Sequence, residues 1–175
     1  MFKDKPPQLT DISASRFAAF VLACLTGLLL LTGAHPATAA SDSAPYPGAQ
    51  IVQTDQAFDV LLKNLRQAIS ENRMGLVAQA SASRGAASRG VRIPGNAVLM
   101  IFRNDYAVRM LAASVVAGIE APLRIYVTED ADGKATVSYQ SPSAVFAPYN
   151  SPELDQLALE LDSIFEKIIK DAISR

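Results

Sequence analysis

The sequence predicts an α+β fold: a two-layer sandwich with an antiparallel or mixed sheet and helices packed on one face. Three observations point there. "LRIYVTED-ADG-KATVSYQ" alternates side chains on both arms of a hairpin, with Asp132 and Gly133 in the turn. The carboxyl-terminal stretch repeats apolar residues at helical spacing. The order strand, helix, two strands with a connector, helix, hairpin, helix leaves few chances for the crossovers that a parallel sheet needs.

Along the chain, "QIVQT" reads as a short strand, after which Thr54 offers an N-cap. Phe58, Leu61, Leu62, Leu65 and Ile69 then form one buried helical stripe, with Gly75 suited to the left-handed position after the helix. "LVAQASA" is a second strand. "AVLMIF", 97 to 102, is apolar at every position and reads as a central strand covered on both faces. Asn104 or Asp105 caps a helix through Leu111 and Val115 that closes at Gly118. Ser151 and Pro152 start the last helix, whose stripe is Leu154, Leu157, Leu161, Ile164, Phe165 and Ile168. If Leu161 is buried, its replacement by alanine costs about 2–5 kcal/mol.

The amino terminus speaks to compartment. Lys3, Lys5 and Arg16 precede the apolar run "FAAFVLACLTGLLLL", which is followed by "ATAA". This is the pattern of a secretory signal peptide over 1–40, cleaved near Ala39 or Ala40, with an uncleaved membrane anchor as the alternative. "SDSAPYPGA" then gives a flexible tail over 41–48, and 49–175 is a single α+β domain. Export implies a periplasmic or secreted protein.

Removing the leader removes Cys24 and His35, the only cysteine and histidine. A mature chain without thiol or imidazole excludes Ser-His-Asp and Cys-His catalysis, and no metal or other cofactor is expected. Loss of Lys3, Lys5 and Arg16 with Asp4 and Asp11 takes the basic count from 16 to 13 and the acidic count from 17 to 15. That small negative net charge offers no field for nucleic acid.

Three places invite a chemical reading. "SASRGAASRG" has the glycine interval of a phosphate loop at Gly85 and Gly90, but Val91-Arg92 and a strand follow, so it reads as a short helical connector capped by Ser81 or Ser83. Glu129, Asp130 and Asp132 gather oxygens at the hairpin without a calcium-loop register, and read as a wet tip. Arg103, Asn104, Asp105 and Tyr106 lie where an apolar strand ends and a helix begins. Backbone N–H groups, a cation and a phenol converge there, so these four are the candidate ligand-binding residues; the plain alternative is that Asn104 or Asp105 only caps the helix.

Ala86-Ala87, Gly90, Pro94, Phe102 with Asn104, Pro122-Leu123, Asp132-Gly133, Pro142 and Tyr149 follow one another in a fixed order. On these residues, and with the helices on either side, nearly the whole mature chain resembles domain of unknown function family 302. The resemblance implies a TATA-binding-protein-like two-layer fold and leaves activity open. Two departures stand out: Phe102-Arg103-Asn104-Asp105 replaces the family's Phe-Gly-Asn-Pro, and the Asp-His pair that many members carry before the Ala-rich turn is absent.

The reading favoured on these grounds is a non-catalytic module that binds a small ligand or an envelope protein. The alternating rows Arg124, Tyr126, Thr128 and Thr136, Ser138, Gln140 could then face solvent, a ligand or a second subunit. The alternatives are an enzyme using carboxylates alone, with Glu129, Asp130 or Asp105 as acid or base, and a structural homodimer.

Overall fold

The computed structural model describes residues 46–175. The expected signal peptide and residues 41–45 of the expected tail lie outside the described residues. Positions 46–48 are already tied to the fold: Gly48 accepts a hydrogen bond from the Ser141 N–H at 2.8 Å, and Tyr46 accepts one from Ala49 at 3.2 Å.

Five strands form one sheet in the order β1-β5-β4-β3-β2, with every neighbour antiparallel. The strands are β1 (Ala49–Ala57), β2 (Gly75–Ala80), β3 (Asn96–Phe102), β4 (Leu123–Glu129) and β5 (Lys134–Gln140). The helices are α1 (Phe58–Glu71), α2 (Ala82–Ala87), α3 (Asn104–Ala113), α4 (Pro142–Phe146) and α5 (Pro152–Ile173). Two 3-10 turns, Val116–Glu120 and Ala147–Tyr149, complete the chain.

Strand side chains alternate between faces, and here the alternation separates core from surface. Leu99 and Ile101 of β3, Ile125 and Val127 of β4, and Ala135, Val137 and Tyr139 of β5 are buried against the apolar stripes of α1 and α5. Tyr139 and Phe165 stand 5.7 Å apart between ring centres across that interface. Among the described residues the opposite face carries no helix of comparable length. Ser138, Tyr126, Val98 and Ala80 lie in register across β5, β4, β3 and β2, with Ile51 of β1 beside Ser138. Tyr126 remains 41% exposed there. The two-layer α+β architecture therefore stands, and its sheet is antiparallel.

α5 forms where its sequence says it should. Ser151 accepts a hydrogen bond from the Leu154 N–H, Pro152 occupies the first turn, and Glu153 and Asp155 sit at the positive end of the helix dipole. The connector is also helical, with the Ser81 side chain accepting from the Arg84 N–H and Gly90 at φ +75° beyond its end.

Other boundaries differ. Thr54 caps nothing: β1 continues to Ala57, and the Thr54 hydroxyl donates to the Ala135 carbonyl at 2.8 Å beside an irregularity in the β1–β5 register. The left-handed residue after α1 is Arg73, at φ +58°, instead of Gly75. The Met74 N–H there reaches back to the Ile69 carbonyl, which closes the helix end. α3 stops at Ala113, and Gly118 belongs to the 3-10 turn that follows. β3 is fourth in the sheet, and its alternate residues Val98 and Met100 are only half-buried, because among the described residues nothing like α5 covers that side.

Candidate functional site

Arg103 ends β3 in extended geometry and precedes α3, which starts at Asn104 without a side-chain cap. The Arg103 Nε donates to Asp105 Oδ1 at 2.7 Å, and its guanidinium lies 4.2 Å from the Tyr106 ring centre. Arg109, one turn on, lies 5.3 Å from the same ring and donates through both terminal nitrogens to Glu160 of α5, at 2.8 and 2.7 Å. The structure thus brings Arg103, Asp105 and Tyr106 into mutual contact, with Asn104 exposed beside them. Their charges are closed on one another: one guanidinium faces one carboxylate in each pair. Beneath Tyr106 is a gap of about 30 Å³ among Ile101, Met110, Leu157 and Leu161, roughly the share of one water in liquid and lined mainly by apolar side chains.

These pairs shift the titrations in a consistent direction. The hydrogen bond from Arg103 lowers Asp105, and that from Arg109 lowers Glu160. Glu71 is lowered by Gln67 and then by Arg175, and Asp171 by Lys167 and then Asn72. A carboxyl depressed in the folded state adds stability above its unfolded pKa, and that stability is lost as pH falls through the folded value. With ordinary values of 3.8 and 4.5 for these groups, the melting temperature should hold down to about pH 5 and fall below it. Because all four are solvent-facing, the fall should be shallower in high salt. Melting curves at two salt concentrations test this; a melting temperature unchanged down to about pH 3 would contradict it.

The acidic hairpin and the serine-arginine connector resolve into local structure. Glu129 Oε2 accepts the Gly95 N–H at 2.6 Å, fastening the approach to β3. Asp130 Oδ1 accepts the N–H groups of Asp132 and Lys134 at 2.9 and 2.8 Å, so the carboxylate organises its own turn. Arg84, Arg89 and Arg92 are exposed and form no ion pair with that hairpin. Among the described residues no cluster of three carboxylates could hold a metal ion.

The polar rows on β4 and β5 lead to a different place. Where β4 begins and β5 ends, a cleft of about 180 Å³ opens between Tyr46, Glu120, Arg124, Tyr126, Ser138 and Gln140, with Val98, Leu123 and Val145 supplying apolar wall. Arg124 is exposed on β4, and among the described residues its side chain forms no ion pair. Glu120 is half-buried, and its Oε1 accepts the Tyr149 hydroxyl at 2.7 Å. That bond, helped by partial burial, pushes the Tyr149 phenol up, so it stays protonated and keeps Glu120 aimed. Gln140 Nε2 donates to the Pro47 carbonyl at 3.4 Å, which ties the segment carrying Tyr46 to the cleft. Sequence reasoning found Arg124, Tyr126, Ser138 and Gln140 by strand alternation but missed Tyr46, Glu120 and Tyr149. The one available signal was the glycine in "YPGA", which marks a fixed turn as readily as a tail.

An antiparallel α+β domain whose described residues leave one face of the sheet largely uncovered, with a cation and aromatic side chains in a cleft there, defines a scaffold class without naming its chemistry. The chain belongs to the family described as "Domain of unknown function DUF302", whose model matches residues 50–172. Among solved structures it is similar to the crystal structure of an uncharacterised conserved DUF302 protein from Bacillus stearothermophilus. That similarity has a TM-score of 0.65 at 15% identity, over 73% of this chain and 99% of the other, and it establishes the shared fold. No curated protein matches the chain.

Proposed function

We propose that this chain is an exported, non-catalytic binding domain, and that its ligand or protein partner docks on the uncovered sheet face at the cleft beside Arg124. The observation that carries this reading is the contrast between arginines. Arg103 and Arg109 are each closed by a carboxylate, whereas Arg124, which lines a cleft with Tyr46 and Tyr126, has no carboxylate partner among the described residues. A guanidinium held in a partly walled cleft is worth more to an incoming anion than one in open water. Arg103, Asp105 and Tyr106 then serve to lock the β3–α3 corner, and would bind a ligand only by giving up those internal pairs, with Asn104 exposed beside them.

The carboxylate enzyme fits less well. A general acid at neutral pH needs a carboxyl pushed upward by burial, and the carboxyls that shift here go downward, with none buried among the described residues. Export rests on the leader sequence. Self-association draws separate support from Val115, Val116 and Ile119, which are 78, 71 and 82% exposed around one 3-10 turn.

One experiment reads all three points: native mass spectrometry of the full chain expressed with its leader in a bacterial host and purified from the periplasm. The expected spectrum has a polypeptide mass corresponding to cleavage near Ala39 or Ala40 and extra mass released on activation. An uncleaved chain overturns the cleaved-leader reading. A bare mature monomer, with nothing retained and no partner co-purifying, overturns the binding reading and the homodimer together.

A further inference from the structure

Two opposite charges line the cleft without pairing with one another. Arg124 and Glu120 both line it, yet no ion pair joins them within 4.0 Å. Glu120 is not free to swing toward Arg124, because Tyr149 holds its Oε1 at 2.7 Å while its second oxygen keeps open acceptor capacity. Arg124 has its five donors unspent. An anion alone would enter beside the Glu120 carboxylate, and a cation alone beside the Arg124 guanidinium; each would meet one repulsive charge. A molecule carrying both charges would satisfy both groups at once.

Resting on the binding reading above, we infer that the cleft takes a small amphoteric molecule bearing one ammonium and one carboxylate, Arg124 gripping the carboxylate and Glu120 the ammonium. The size agrees. About 180 Å³ lies below the usual range for a drug-sized ligand pocket, which suits a molecule of few heavy atoms. The rings of Tyr46 and Tyr126 and the side chains of Val98 and Val145 give apolar wall for a short methylene chain, and the Ser138 hydroxyl offers a further polar contact. Planar, bidentate contact with a carboxylate is what a guanidinium supplies and an ammonium does not.

The test is isothermal titration of the exported chain with glycine, β-alanine, 4-aminobutyrate and 5-aminopentanoate, which step the distance between the two charges. Acetate and methylammonium carry one charge each. At least one amphoteric member should bind saturably and neither single-charge probe should. Arg124→Met and Glu120→Gln should each weaken that binding by roughly tenfold or more, as expected for a lost hydrogen bond to a charged group. Arg124→Lys keeps the charge, removes the fork, and should also weaken it. Because a variant could misfold, amide chemical shifts of the unmutated chain provide a second readout: the binding probe should move Arg124, Tyr126 and Ser138 and leave Arg103 and Tyr106 in place. Failure of all four probes, equal binding of acetate, or undiminished binding by a folded Arg124→Met overturns the inference. If the native spectrum still shows a retained ligand of another kind, only this assignment falls and the binding reading stands.

Discussion

Replacing Leu161 by alanine lowers the unfolding free energy by about 2–5 kcal/mol, the range for truncating a fully packed leucine. Leu161 is 3% exposed in the middle of α5, where it meets the gap it shares with Ile101, Met110, Phe146 and Leu157. The lost isopropyl group would leave a cavity bounded by β3, α3 and α4, all fixed by their own hydrogen bonds, so little collapse can repair it. The existing gap of about 30 Å³ means that the new void adds to one already there. Leu159, two residues away on the same helix, is the internal control. It is 61% exposed, and Leu159→Ala should stay within about 0.5 kcal/mol of the parent. Urea titrations with an unchanged slope measure both. A loss below about 1 kcal/mol at Leu161 would mean that this part of the helix does not hold the core together.

The contrast between those two leucines is written in helical spacing, and that explains which parts of the fold were legible. Local signals placed α5, the connector and the hairpin, because a cap, a proline or a turn glycine acts within a few residues of itself. The end of β1 was not legible. Thr54 looks like a cap in any local window, and only the Ala135 carbonyl on the neighbouring strand draws its hydroxyl into the sheet. Arg73 in a left-handed conformation has no sequence mark, whereas Gly75 two positions on carries a misleading one. The apolar run of β3 suggested two covered faces, but apolar residues also occur on partly exposed sheet surface, as the half-buried Val98 and Met100 do.

The site divides in the same way. Arg103, Asn104, Asp105 and Tyr106 are neighbours in sequence, so their convergence could be read, but not that Arg109 and Glu160 complete a closed set of pairs. The cleft draws on Tyr46, Glu120, Arg124 and Gln140 from four separate segments. Strand alternation placed Arg124 and Gln140 in polar rows. Only the folded chain shows that a 3-10 turn and the lead into β1 wall them in.

The lead into β1 is also the most sensitive point outside the core, and Gly48→Ala should cost about 2–5 kcal/mol through two effects. Gly48 sits at φ +75°, a left-handed conformation that strains any residue with a Cβ. A Cβ built there would lie 2.0 Å from the Ala144 Cβ and 3.0 Å from the Ser141 Oγ. Neither neighbour yields easily: Ala144 has no rotamer to change, and Ser141 both caps α4 and donates its N–H to the Gly48 carbonyl at 2.8 Å. The two effects separate in a double-mutant cycle. Ala144→Gly removes the methyl that Gly48→Ala would strike, at a helix cost of about 1 kcal/mol, but leaves the φ strain untouched. The double variant should therefore be less destabilised than the sum of the single variants, by roughly the steric share of 1–3 kcal/mol. Simple additivity would mean that the segment relaxes away from α4 without strain. In that case Tyr46 would be displaced with it, and the cleft would lose one wall at little expense to the fold.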